Sequence, residues 1–142
     1  MSRIPRLQEH LKAGFTAAAA SAARFRANAA AASKNGLPNL AAHWLELASA
    51  KDALAVLQLQ ATGQVRGSVE DLEAALAEER YEIEVLYPRL IAAAGAEAGP
   101  FRGVVAVQER HLSRLESLRG ALIASRGDVP ALPSAAPVAV AS

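Results

Sequence analysis

Three clusters of helix-breaking residues divide this chain, and everything between them reads as helix. Asn35-Gly36-Leu37-Pro38, Thr62-Gly63-Gln64-Val65-Arg66-Gly67 and Ala98-Gly99-Pro100 separate segments of about 25 residues, each long enough for several helical turns. Alanine fills 35 of the 142 positions, and the β-branched and aromatic runs that would favour strands are missing. Gly36 suits a left-handed cap closing the first helix, and Pro38 suits the first turn of the second. Ser68 is expected to cap the third helix, whose first turn carries Glu70 and Asp71, favourable at the positive end of a helix dipole. The expectation is an all-α, four-helix bundle over residues 1–126, followed by a disordered Pro/Ala-rich tail over 127–142.

Charge and cysteine content remove several functional classes. A formal charge of +1 with 4% aromatic residues gives no basic stripe and no stacking platform for nucleic acid. The absence of cysteine excludes disulfides, thiolate metal sites, iron–sulfur clusters and a thiol nucleophile. The longest apolar runs, at 17–20 and 27–32, are alanine-rich and flanked or broken by Arg24, Arg26 and Asn28, so no membrane span is expected. The opening residues loosely mimic a signal peptide, but Glu9, His10 and Lys12 interrupt it. A cytoplasmic location is therefore expected.

Each helix has a row of residues spaced alternately four and three, the positions that face a bundle core. On helix one the row is Leu7, Leu11, Gly14, Ala18, Ser21 and Phe25; on helix two, Leu40, Trp44, Leu47, Lys51, Leu54 and Gln58. Helix three contributes Leu72, Leu76, Glu79, Ile83, Leu86 and Leu90, and helix four Val104, Gln108, His111, Leu115, Leu118 and Leu122. Lys51, Glu79, Gln108 and His111 interrupt these rows, and Glu82 lies one turn from Glu79. An unpaired charge in a core costs several kcal/mol, about 3–5 when one partner of a buried pair is removed. These groups must then meet one another, a water or a metal. The rival reading makes the Glu-Glu-Arg-Tyr-Glu run a solvated face and His111 a satisfied core histidine. Lys51 could likewise carry its ammonium out to water. His10 and His43 lack partners at ligand spacing and read as surface residues.

Residues 71–88, Asp-Leu-Glu-Ala-Ala-Leu-Ala-Glu-Glu-Arg-Tyr-Glu-Ile-Glu-Val-Leu-Tyr-Pro, resemble the third-helix signature of rubrerythrins, a branch of the ferritin-like superfamily. That signature ends in Tyr-Pro, which accounts for Pro88, otherwise a costly interruption expected to kink the helix. Weaker likeness runs over about residues 10–120 and includes Arg24-Phe25, Gly36, Trp44 and Gly67-Ser68. The resemblance implies a ferritin-like bundle with di-iron peroxidase or oxidoreductase ancestry. Ferritin-like di-iron sites take one Glu from each of two helices and Glu-x-x-His from each of the other two. Glu79 and Glu82 match the third-helix carboxylates, His111 matches the fourth-helix histidine, and Gln108 stands where a ligating Glu would. The helix-one Glu falls at about Ala18, and the helix-two pair falls on Lys51 and Leu54.

The resemblance therefore implies a largely lost di-iron site, with no cofactor and a Lys51–Glu79 ion pair in place of the metals, hydrogen-bonded to Gln108 and His111. A non-catalytic, structural or interaction role follows from it. The alternative is a single iron or manganese ion held by Glu79, Glu82 and His111 for redox chemistry. Ala61 to Val69 is eight steps, at most about 26–29 Å, so a hairpin turn is easy and a crossover along the bundle barely reaches. A homodimer, with exchange of helix pairs between two chains as one option, is the expected assembly.

Overall fold

The computed structural model describes residues 4–125 and 127–133, and among these every regular element is helical. They are α1 (Ile4–Lys34), α2 (Pro38–Ala61), α3 (Ser68–Tyr81), a π-helical turn (Glu82–Leu86), α4 (Tyr87–Ala94), a short 3₁₀ turn (Gly95–Glu97) and α5 (Gly99–Ser125). The helical run 68–94 is continuous, so four long helices result, as the breaker pattern predicts. The chain forms two compact units, Met1–Arg66 and Gly67–Ser142. Residues 127–133 are irregular; the rest of the expected tail, 134–142, lies outside the described residues.

The first unit is the hairpin of α1 and α2. Gly36 adopts φ 75°, the left-handed conformation that only glycine takes without strain. The Leu37 N–H then reaches the Ala32 carbonyl at 2.9 Å and the Gly36 N–H reaches the Ser33 carbonyl at 3.1 Å. This pair of bonds is the glycine-dependent helix stop expected at that position. Pro38 opens α2 at once, where its missing N–H costs nothing.

Alanine builds the interface of this hairpin. Ala18, Ala22, Ala29 and Ala32 of α1 are buried, as are Ala41, Ala48 and Ala55 of α2. The α2 residues recur every seven positions, one stripe along a helix. Small side chains let two helix backbones approach closely, at the low end of interaxial distances. At one end Trp44 packs on the cluster of Ala29, Ala32 and Ala41, with its ring 5.1 Å from that of Phe25.

Here the spacing argument needs correction. On α1 the row through Gly14, Ala18 and Phe25 does lie on the packed face. On α2 Trp44, Lys51 and Gln58 of the expected row are half-buried on the packed face, while the fully buried residues, Ala41, Ala48 and Ala55, lie one position over from the expected leucines, about 100° around the helix. Leu40, Leu47 and Leu54 are consequently 46%, 50% and 48% exposed. With Leu45, Val56 and Leu57 also exposed, α2 is apolar around most of its circumference, the pattern of a helix built to be covered on more than one side.

The second unit packs α3 and α4 against α5. Gly67, with extended φ and ψ, holds the cap position of α3 and Ser68 is its first helical residue, one place from the expected cap. The third helix also ends earlier than the 98–100 break implies: Gly95 takes φ 58°. Pro88 sits in the first turn of α4, after the π turn. The Tyr87 N–H bonds the Glu82 carbonyl five residues back, a widened register just before the residue that has no N–H to give. Leu76 is the buried large side chain of this unit. Two ion pairs, Arg80–Glu116 at 2.9 Å and Arg119–Glu73 at 3.0 Å, tie α3 to α5.

Candidate functional site

Glu79, Glu82, Gln108 and His111 all belong to the second unit, and the structure brings part of this set together. The π turn begins at Glu82. The Gln108 side-chain amide donates to the Glu82 carboxylate at 3.1 Å, so the i, i+3 spacing on two helices does translate into contact. Both residues and Glu79 are half-buried, whereas His111 is exposed.

Two oxygens in this cluster lack donors. Glu79 Oε2 and Gln108 Oε1 are each shielded from solvent and accept no hydrogen bond. A buried acceptor left unmatched costs about 1–3 kcal/mol, and more when charged. Glu79 and His111 also line an open groove of about 350 Å³ with Ala75, Arg114, Leu115 and Leu118. Its wall is thus aliphatic along one side, with one carboxylate, one imidazole and one guanidinium.

Lys51 lies in the first unit, half-buried on α2. Among the described residues it makes no ion pair or hydrogen bond. Its neighbour Asp52 is instead paired with Arg26 across the hairpin. That carboxylate raises the Arg26 pKa, first by hydrogen bonding and second by charge. His10 and His43 are exposed, as expected of surface residues.

The donor set does not suit a di-iron centre. Two iron ions need several anionic oxygens nearby, yet the positions that the rubrerythrin resemblance aligns with ligands include Ala18, Leu54 and a neutral amide. That amide already occupies a Glu82 oxygen. Among the described residues no three His, Asp or Glu side chains are grouped so as to hold a metal ion. No helix among them is long and apolar enough to cross a membrane.

Compared with known proteins, the chain matches no family model and no curated sequence. The rubrerythrin likeness therefore rests on residues 71–88 and the pattern around them.

Proposed function

We propose that this chain is a rubrerythrin-like, ferritin-like helical protein whose di-iron site has been replaced by an ion pair between Lys51 and Glu79. Its role is then structural or interactive, not catalytic. The observation that carries this reading is the pair of donorless interior oxygens on Glu79 and Gln108. A lysine ammonium has three N–H donors and no acceptor, which is what two such oxygens lack. Lys51 has an uncommitted amine and stands at a position where the family would place a metal-ligating Glu. Its charge would also repel a metal ion from the same carboxylates.

Net stabilisation is not implied. Desolvating both charges offsets their attraction, so the pair specifies which faces meet more than it adds stability. Metal analysis of protein purified without chelators, followed by titration with iron and manganese, tests the reading. Protein that is metal-free and indifferent to either ion supports it. One tightly held ion per chain, lost in Glu79→Gln and His111→Ala, would instead establish a single-metal site made by Glu79, Glu82 and His111.

A further inference from the structure

We infer that residues 129–133, just beyond α5, are a docking segment for a partner protein whose groove is lined by aromatic rings. The inference goes beyond the reading above. It needs no contact between the two units and stands whether or not Lys51 meets Glu79. Its starting point is Val129-Pro130-Ala131-Leu132-Pro133, two aliphatic–proline pairs three residues apart. Proline fixes φ at about −65°, and the residue before each proline is pushed out of the helical region towards extended backbone. Val129, Pro130, Leu132 and Pro133 are thus all preset for a polyproline II helix, which turns once every three residues and rises about 3.1 Å per residue. The two pairs therefore repeat on one edge, about 9 Å apart.

The structure leaves this edge open. From Asp128 to Pro133 the chain forms neither helix nor strand. Its base is held at the end of α5: the Ser125 hydroxyl accepts the Gly127 N–H at 3.2 Å and lies 3.0 Å from the Gly127 carbonyl. The Val129 N–H donates to the Asp128 carboxylate at 2.8 Å. Val129 is half-buried where the segment departs, and Pro130, Ala131, Leu132 and Pro133 are exposed. Among the described residues, none of these last four takes part in a hydrogen bond. Leu132 is 72% exposed, more than any other large apolar side chain described. A neighbouring strand could find N–H donors only at Ala131 and Leu132, because proline has none to give.

The chemistry of the partner follows from this backbone. A polyproline II segment makes no internal hydrogen bonds, so its carbonyls face outwards and want donors. Flat rings pack against the proline edge, and Trp and Tyr supply both a ring and an N–H or O–H. Two slots between such rings, one for each aliphatic–proline pair, form the kind of groove by which PxxP segments are read. No ionisable side chain follows Asp128, so entering apolar slots desolvates no charge. A backbone already held near its bound form also loses little freedom on binding.

The test titrates the intact chain against a panel of purified SH3 domains, whose grooves have this aromatic character, by isothermal calorimetry. Saturable binding to one or more domains is expected, weakened about tenfold or more by Pro130→Ala and by Pro133→Ala. One alanine inserted between Ala131 and Leu132 keeps the composition but moves the two pairs off a common edge, and should abolish binding. Pro137→Ala lies outside the three-residue spacing and should leave binding unchanged. All of these changes fall beyond α5, so the helical circular dichroism should stay as it is. No binding to any domain, or binding that survives the insertion, would overturn the inference. Equal weakening by Pro137→Ala would show that proline content counts and spacing does not, and would overturn it as well.

Discussion

The two hairpins solve the same packing problem with opposite materials. The α1–α2 hairpin joins its helices through alanines, of which Ala22 and Ala48 are each 1% exposed. The α3–α5 hairpin uses Leu76, two ion pairs and a glutamine–glutamate hydrogen bond. An alanine seam buries little apolar area per residue, and hydrophobic stabilisation scales with that area. It has another consequence: the leucines of α2 are not consumed by its neighbour and stay available for a second surface. The second hairpin buries Leu76 internally, keeps Val85, Val104 and Val107 exposed, and leaves unsatisfied polar atoms. The first hairpin thus has a row of leucines and a cation to spare, and the second has a carboxylate oxygen without a donor.

Substitutions that exchange the two materials should break this contrast. The largest effect is expected for Leu76→Ala, which empties the best-buried large position of the second hairpin and should cost about 2–5 kcal/mol in urea denaturation. Leu47→Ala sharpens the comparison, because Leu47 is half exposed within one chain. If its face is covered by a second copy, the loss should be about 2 kcal/mol or more and should grow on dilution. A loss below about 0.5 kcal/mol would be that of an ordinary surface residue.

Overpacking comes next. Ala48→Leu inserts methylenes where the α1 and α2 backbones approach, and should cost about 1–3 kcal/mol by thermal melting. The same exchange at exposed Ala42 should be nearly neutral, which separates crowding from helix propensity. The smallest effect belongs to the ion pairs of α3 and α5. Arg80–Glu116 and Arg119–Glu73 have side chains 42–51% exposed, so each should contribute about 0.2–1 kcal/mol, reduced further by salt. Melts of Arg80→Ala at low and high ionic strength check this.

Much of the fold was legible in the residue order because its punctuation is chemical. Asn-Gly-Leu-Pro specifies a left-handed stop followed by a proline start, and the bonds at Ala32 and Ser33 follow from it. The inner face of α2 was legible at Trp44, Lys51 and Gln58, which are half-buried, but not at its alanines. Spacing arguments weigh large apolar residues, and Leu40, Leu47 and Leu54 outrank the adjacent Ala41, Ala48 and Ala55. Both rows have the same period, so periodicity alone cannot say which one a neighbour occupies. Pro88 announces a fault in the backbone hydrogen bonding without saying which residues absorb it; the widened turn falls on Glu82–Leu86.

The candidate site was legible in its membership more than in its state. Spacing placed Glu82 and Gln108 on facing helices, and they touch. His111 belongs to the same end of the cluster but is exposed, because α5 turns the row through Val104 and His111 towards its flank. That two oxygens there would lack donors depends on side-chain placement, which residue order does not encode. Gly14 is a related case: a Cβ at that position would run into the Gln58 side-chain amide, a constraint invisible until α1 and α2 are set side by side.

The claim that Lys51 supplies the missing donor to Glu79 is tested most directly by a double-mutant cycle. Lys51→Met, Glu79→Gln and the double variant would be unfolded in urea at one fixed protein concentration. Contact between the two groups requires the double variant to lose less than the sum of the single losses, with a coupling of about 0.5–3 kcal/mol. Losses that add to within about 0.3–0.5 kcal/mol would show that the two side chains do not meet, and would contradict the account.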